Sequence, residues 1–136
     1  MAVGSNLAEK LADEVLSTYD EILGISVMDM RGNILVAKSK DAFREAFTVS
    51  QDRAKYGGAL AVAILGLVNG IRTIFGPTKA IITIHEKCKL MLLPVPSFQL
   101  LIGIVLRKSA NAEDHKIASD IEILVADMLN HSSSNI

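Results

Sequence analysis

The chain has 136 residues, half of them hydrophobic, with a mean hydropathy of +0.36 and a net charge of −1 from 14 basic and 15 acidic side chains. That length fits a single domain, 1–136, large enough for a core of its own, and the balanced charge leaves no electrostatic footprint for nucleic acid or an anionic membrane. Aromatic residues are 4% with no Trp, which argues against base-stacking and sugar-binding platforms, and the single cysteine, Cys88, excludes an intrachain disulfide framework. The opening MAVGSNLAEKL has neither a basic n-region nor an apolar h-region, so a cytoplasmic location is expected. Residues 5–19 then read as an amphipathic helix. Ser5 or Asn6 can cap it, and Leu7, Leu11 and Val15 recur every fourth position opposite Glu9, Lys10, Asp13 and Glu14.

Residues 22–30 (ILGISVMDM) alternate as a strand, Arg31-Gly32-Asn33 supplies a turn, and 34–38 (ILVAK) returns as the second strand of a hairpin. Residues 39–50 are of mixed character, with Phe43 and Phe47 hinting at a short helix and Ser50 placed to cap the next one. That next helix, through 56–76 (YGGALAVAILGLVNGIRTIFG), is the most informative stretch. No charged side chain occurs between Gly57 and Ile71, yet the run is too short and interrupted for a membrane span, which needs about 20 apolar residues. Wound at roughly 100° per residue, it separates a large face (Tyr56, Leu60, Ile64, Leu67, Val68, Ile71, Ile74, Phe75) from a small, uncharged one (Gly58, Ala59, Val62, Ala63, Gly66, Asn69, Gly70, Thr73). The large face is expected to be the core stripe, so that Leu67→Ala should cost a subunit about 2–5 kcal/mol. Each helical glycine costs roughly 0.5–1 kcal/mol relative to alanine, so the small face calls for another backbone approaching closely. That backbone belongs to the same chain or to a second copy. So short a chain has few elements left to cover both sides, which favours the copy.

Gly76-Pro77 ends the helix. Three strands follow, at 79–85 (KAIITIH), 90–95 (LMLLPV) and 99–106 (QLLIGIVL). Pro94 weakens the second or places it at a sheet edge, and the continuous apolar run of the third suits a central strand covered on both faces. Asn111 is placed to cap a last helix over 112–130 with Ile117, Ile121, Leu124, Val125 and Met128 as its stripe, leaving 131–136 as a frayed tail and 5–130 as the ordered core. The order helix-strand-strand-helix-strand-strand-strand-helix implies an α+β fold: a five-stranded antiparallel sheet with the long helix on one face and the terminal pair on the other.

No residue set supports catalysis. His85 and Cys88 form an H-x-x-C, half of what a zinc site needs, and no second pair exists. GGALAVAILG lacks the Gly-Lys-Ser/Thr of a phosphate loop, no G-x-S-x-G occurs, and Asp29, though one of two carboxylates with Asp41, reads as a turn residue before Arg31-Gly32-Asn33. No metal, cofactor, nucleic-acid partner or enzymatic activity is therefore expected. Arg72, at the seam between the helix faces, either reaches a partner or simply sits favourably near the helix C-terminus.

The strings LGISVMDMRGNILVAKS, GGALAVAILGLVNGIRTIFG, KAIITIHEKCKLMLLPV and LLIGIVLRKSAN, in that order over about 20–125, resemble the Roadblock / dynein light chain family. The shared features are a D-x-x-G hairpin, a small-residue helix and a leucine-rich strand. The resemblance implies a profilin-like domain that homodimerises or heterodimerises, acting as a scaffold or regulator, in some members a GTPase-activating partner, of small Ras-like GTPases. Carried onto this chain, the dimer surface would comprise Ala59, Val62, Ala63, Gly66, Asn69, Gly70 and Thr73 with the edge strand through Ala80, Ile82 and Ile84; Arg72, by its position alone, is the candidate partner contact. The alternative is a PAS- or profilin-like sensory domain with a small-ligand pocket between the sheet and residues 39–50.

Overall fold

The computed structural model describes residues 4–41, 51–108 and 113–134, with backbone alone for 51–57, 59 and 132–134. The expected helix around Phe43 and Phe47 and the caps Ser50 and Asn111 lie outside the described residues. The elements are α1 (Ser5–Thr18), β1 (Ile22–Asp29), β2 (Ile34–Ser39), α2 (Gln51–Asn69), α3 (Arg72–Phe75), β3 (Ile81–Ile84), β4 (Cys88–Val95), β5 (Leu100–Arg107) and α4 (Asp114–Ser134).

The five strands form one antiparallel sheet in the order β2-β1-β5-β4-β3. The most apolar strand, β5, lies at its centre. Leu100, Ile102, Ile104 and Leu106 point to one face and Leu101 to the other, all buried, as a strand sandwiched on both sides requires. Pro94 lies in β4, an inner strand rather than an edge. It is paired with Leu101 of β5, while the pairing with β3 covers Lys89 to Leu92, so Pro94 lies where β4 has a strand on one flank alone among the described residues.

Each face has its own apolar cluster. On one, α1 and α4 set Leu11, Val15, Ile117, Ile121, Val125 and Leu129 against Ile25, Val27, Met91, Leu93, Ile102 and Ile104. On the other, Ala61 and Leu65 of α2 rest on Met28 and Leu101, with Val62, Ile34, Ile81 and Leu92 around them. This is the expected α+β, profilin-like layering, with the long helix opposite the terminal pair. Ile102 is fully buried in the larger cluster. Ile102→Ala is expected to cost about 2–5 kcal/mol through the cavity it leaves, read as a lower urea midpoint at unchanged slope.

Polar contacts tie the layers at their rims. Tyr19, just past α1, donates its hydroxyl to Asp120 of α4, which also pairs with Lys116 at 3.0 Å. The bond to Asp120 raises the Tyr19 phenol and lowers the Asp120 carboxyl relative to their usual ranges. Lys89 of β4 meets Asp114 at 2.7 Å, a charge placed in the first turn of α4 where the dipole favours it.

Several ends differ from expectation. Gly4, not Ser5 or Asn6, occupies the N-cap of α1, and its carbonyl accepts the Ala8 N–H at 3.0 Å. The helix expected to run unbroken to Gly76 stops at Asn69. Ile71 (φ −96°, ψ 2°) interrupts it before the one-turn α3, which ends where the Gly76 N–H reaches the Arg72 carbonyl. β4 begins at Cys88 because the Cys88 carbonyl accepts the His85 N–H at 2.9 Å and closes the turn. α4 continues to Ser134 instead of ending near Asn130.

Candidate protein-interaction face

The D-x-x-G turn sets where α2 can lie. One carboxylate oxygen of Asp29 accepts the backbone N–H groups of Arg31 and Asn33, and the other accepts the Asn33 side-chain amide, all at 2.9 Å. Donation from Asn33 holds the Asp29 carboxyl below its ordinary value. The turn so fixed puts Gly32 at φ +88°, pressed against the backbone of α2 at Gly58. A Cβ on Gly58 would collide with the Gly32 carbonyl oxygen, and one on Gly32 would meet the Gly58 carbonyl oxygen at 2.8 Å. Glycine faces glycine because only two bare backbones fit there. For Gly58, the close neighbour inferred from sequence is therefore the chain's own hairpin.

Asp29→Asn is expected to destabilise the protein by about 1–2 kcal/mol through its weakened charge-assisted bonds. Because the folded Asp29 carboxyl is lowered, its contribution is complete above the unfolded value near pH 4 and fades as pH falls through the folded one. The stability gap between wild type and Asp29→Asn should hold at neutral pH and close in acid, as urea titrations at each pH would show.

Seated this way, α2 turns Gly58, Ala61 and Leu65 inward, with Val62 half-buried beside them. The large face is not the core stripe. Leu67 is 82% exposed, Leu60 47%, Ile71 47%, Ile74 73% and Phe75 78%. The close approach of Gly58 to the Gly32 turn sets the rotation of the helix, with Ala61 and Leu65 underneath and the large face turned outward. The cost of about 2–5 kcal/mol expected for Leu67→Ala within a subunit accordingly has no basis, since nothing buried is lost.

The residues singled out from sequence divide into two groups. Ala63, Gly66, Asn69, Gly70 and Thr73 are exposed on the outer side of α2 and α3 among these large side chains, and Arg72 is exposed at the start of α3. Val62 packs toward the smaller cluster, and Ala80 and Ile82 pack against the larger one. Ile84 is exposed, and the Ala59 side chain lies outside the described residues. The sequence reading missed Leu60, Leu67, Ile71, Ile74 and Phe75 as surface residues. The available signal was absence of charge all round the helix, which marks cover on every side without saying which side the chain itself provides.

The two sheet edges differ in kind. β2 carries Lys38, paired with Asp13 at 2.8 Å, and its register with β1 slips between Val27 and Met28. Charge and irregularity of this sort discourage strand addition. β3 reads Ile-Ile-Thr-Ile with no charge and no such break, an edge without either device among the described residues.

The remaining sequence candidates form no chemical centre. His85 Nε2 lies 2.9 Å from Thr83 Oγ1, burial raises the Cys88 thiol, and Asp29 is committed to its turn. Among the described residues no three His, Cys, Asp or Glu side chains are grouped to hold a metal. No helix of the described residues is long and apolar enough to cross a membrane.

No protein-family model and no curated protein matches the sequence. Solved structures do match. An MglB with a tetrameric arrangement superposes at a TM-score of 0.72 with 13% identity over 96% of this chain and 93% of that one. The gliding protein MglB of Thermus thermophilus gives 0.71 with 10% identity over 100% and 95%. The Roadblock/LC7 domain from Streptomyces avermitilis gives 0.68 with 12% identity over 91% and 96%. At this level of identity the likeness is one of architecture, and the architecture is that of the Roadblock/LC7 domain.

Proposed function

We propose that the protein is a non-enzymatic, self-associating interaction module of the cytoplasm that binds or regulates a small Ras-like GTPase. The observation that carries the self-association is the outer side of α2. It holds Leu60 and Leu67 in the open, on a helix with no charge from Gly57 to Ile71. Burying a side chain of this size fully contributes about 1.5–3 kcal/mol. Counted on two subunits, even partial burial rivals the roughly 4–15 kcal/mol lost in association.

A second copy fits because the surface is self-complementary in size. Leu60 and Leu67 stand proud on either side of Ala63 and Gly66, so an antiparallel twin can seat its leucines over the small residues. The β3 edge, through Ile82 and Ile84 with Ala80 just before it, adds backbone groups able to extend the sheet. The tetrameric arrangement named for one MglB of this fold supports assembly between copies.

The GTPase reading rests on the Roadblock resemblance, with Arg72 as the contact reaching the partner. Its test is calorimetry of the purified protein against each small GTPase of its own organism, loaded with GDP or a GTP analogue, together with single-turnover GTP hydrolysis. Binding to one GTPase that depends on nucleotide, lost in Arg72→Glu, is the expected result. Failure of every GTPase in both states would refute that reading and leave self-association standing.

A further inference from the structure

We infer that α3 and its flanks, the patch of Ile71, Arg72, Ile74 and Phe75, form a docking site for an acidic amphipathic helix of a partner protein. This deepens the reading of the protein as an interaction module and rests on it only in leaving α3 free when a second copy covers α2. Two observations carry it. Ile71, Ile74 and Phe75 are spaced at i, i+3 and i+4 and so share one side of the turn, with Ile74 and Phe75 among the most exposed apolar side chains of the chain. Ile74 and Phe75 also stand past the break at Ile71, so they are not simply the last turn of the α2 ridge.

Charge chooses the occupant. Residues 53–85 contain Arg53, Lys55, Arg72 and Lys79 but none of the protein's 15 acidic residues, so the rest of the chain, despite ten basic residues, is net acidic. On α3 the charge is Arg72, exposed and in no ion pair among the described residues. Lys79 is drawn toward Glu122 of α4 at 3.5 Å. An apolar patch with a cation on it and no anion near in sequence is complementary to a helix that lays apolar anchors at i, i+3, i+4 and i+7 and carries Glu or Asp alongside. An anionic lipid surface is the weaker match. A single arginine contributes about 1 kcal/mol there, and stable attachment takes a second signal.

The test uses two fluorescent synthetic helices with the same leucine face, one flanked by glutamates and the other by lysines, titrated into the full chain by anisotropy. The glutamate helix is expected to bind about tenfold more tightly than its lysine twin. Arg72→Glu should reverse that order, and Phe75→Ser should weaken both by about tenfold or more, with sedimentation of each variant unchanged from wild type. Equal binding of the two helices, binding of neither, or an unreversed preference in Arg72→Glu overturns the proposal. So does dissociation of the assembly by Phe75→Ser, which would give the patch to the second copy, or retention of the chain on phosphatidylserine vesicles in place of the helices. A wild-type protein that is monomeric yet discriminates between the helices would refute the self-association and sustain this site.

Discussion

Gly58→Ala is expected to destabilise the protein by about 1–3 kcal/mol, the range for forcing an extra carbon into a packed contact. The sign is what makes the experiment informative. In a helix interior the same change ordinarily stabilises, by roughly 0.5–1 kcal/mol. At Gly58 the new Cβ meets the backbone carbonyl of Gly32, and neither side of that contact is a flexible side chain able to swing away. Either the hairpin turn shifts, at the expense of the bonds Asp29 makes to Arg31 and Asn33, or α2 lifts from Ala61 and Leu65 onward. Gly66 is the internal control. It is exposed in the single subunit, and a Cβ there meets nothing within 4 Å, so in the monomeric Leu67→Glu background, with no twin over it, Gly66→Ala should gain about 0.5–1 kcal/mol. Urea midpoints for both variants, taken at one protein concentration because association contributes to stability, give the comparison. A stabilised Gly58→Ala would mean that the turn does not seat on the helix.

The same pair of glycines shows how much of this fold and site could be read in advance. Strand order within the hairpin, the central position of β5 and the stripe of α4 were legible because period-2 and period-3.6 patterns each bury one set of residues. Ile117, Ile121 and Val125 fall where the pattern puts them. The orientation of α2 was not legible. With apolar residues of both sizes and no charge to mark the wet side, size pointed to the large face as core, whereas Ala61 and Leu65, which belong to neither face, turn inward beside Gly58. What decided the orientation was a tertiary contact, Gly32 against Gly58, between residues 26 positions apart, to which no local pattern is sensitive. The break at Ile71 escaped for a related reason, since Asn69, Gly70 and Ile71 are each tolerated inside a helix and only their sum ends it. Composition thus led to the expectation that α2 is covered on a second side, while the prominence of Leu60 and Leu67 there emerged only from the packing beneath.

That prominence leads to the largest expected effect. Leu67→Glu should convert a wild-type dimer into a monomer, weakening association by about a hundredfold or more, as loss of a central apolar anchor does. It should do so without unfolding the subunit, because the side chain is 82% exposed and touches neither buried cluster. Across an antiparallel helix pair the two new carboxylates would lie on a surface that otherwise carries no charge from Gly57 to Ile71, where desolvation and like-charge repulsion act together. Ala63→Glu should act in the same direction by filling the notch that receives the partner's leucine, and Gly66→Leu should do so by bulk alone. Leu67→Ala should weaken the dimer by a smaller factor and leave the far-ultraviolet circular dichroism unchanged. Sedimentation equilibrium across a hundredfold range of concentration, with circular dichroism on the same samples, reads both quantities. A Leu67→Glu protein that dimerises as tightly as wild type would place the second copy elsewhere on the molecule, and a wild type that stays monomeric at every concentration would leave this charge-free side of α2 without its twin.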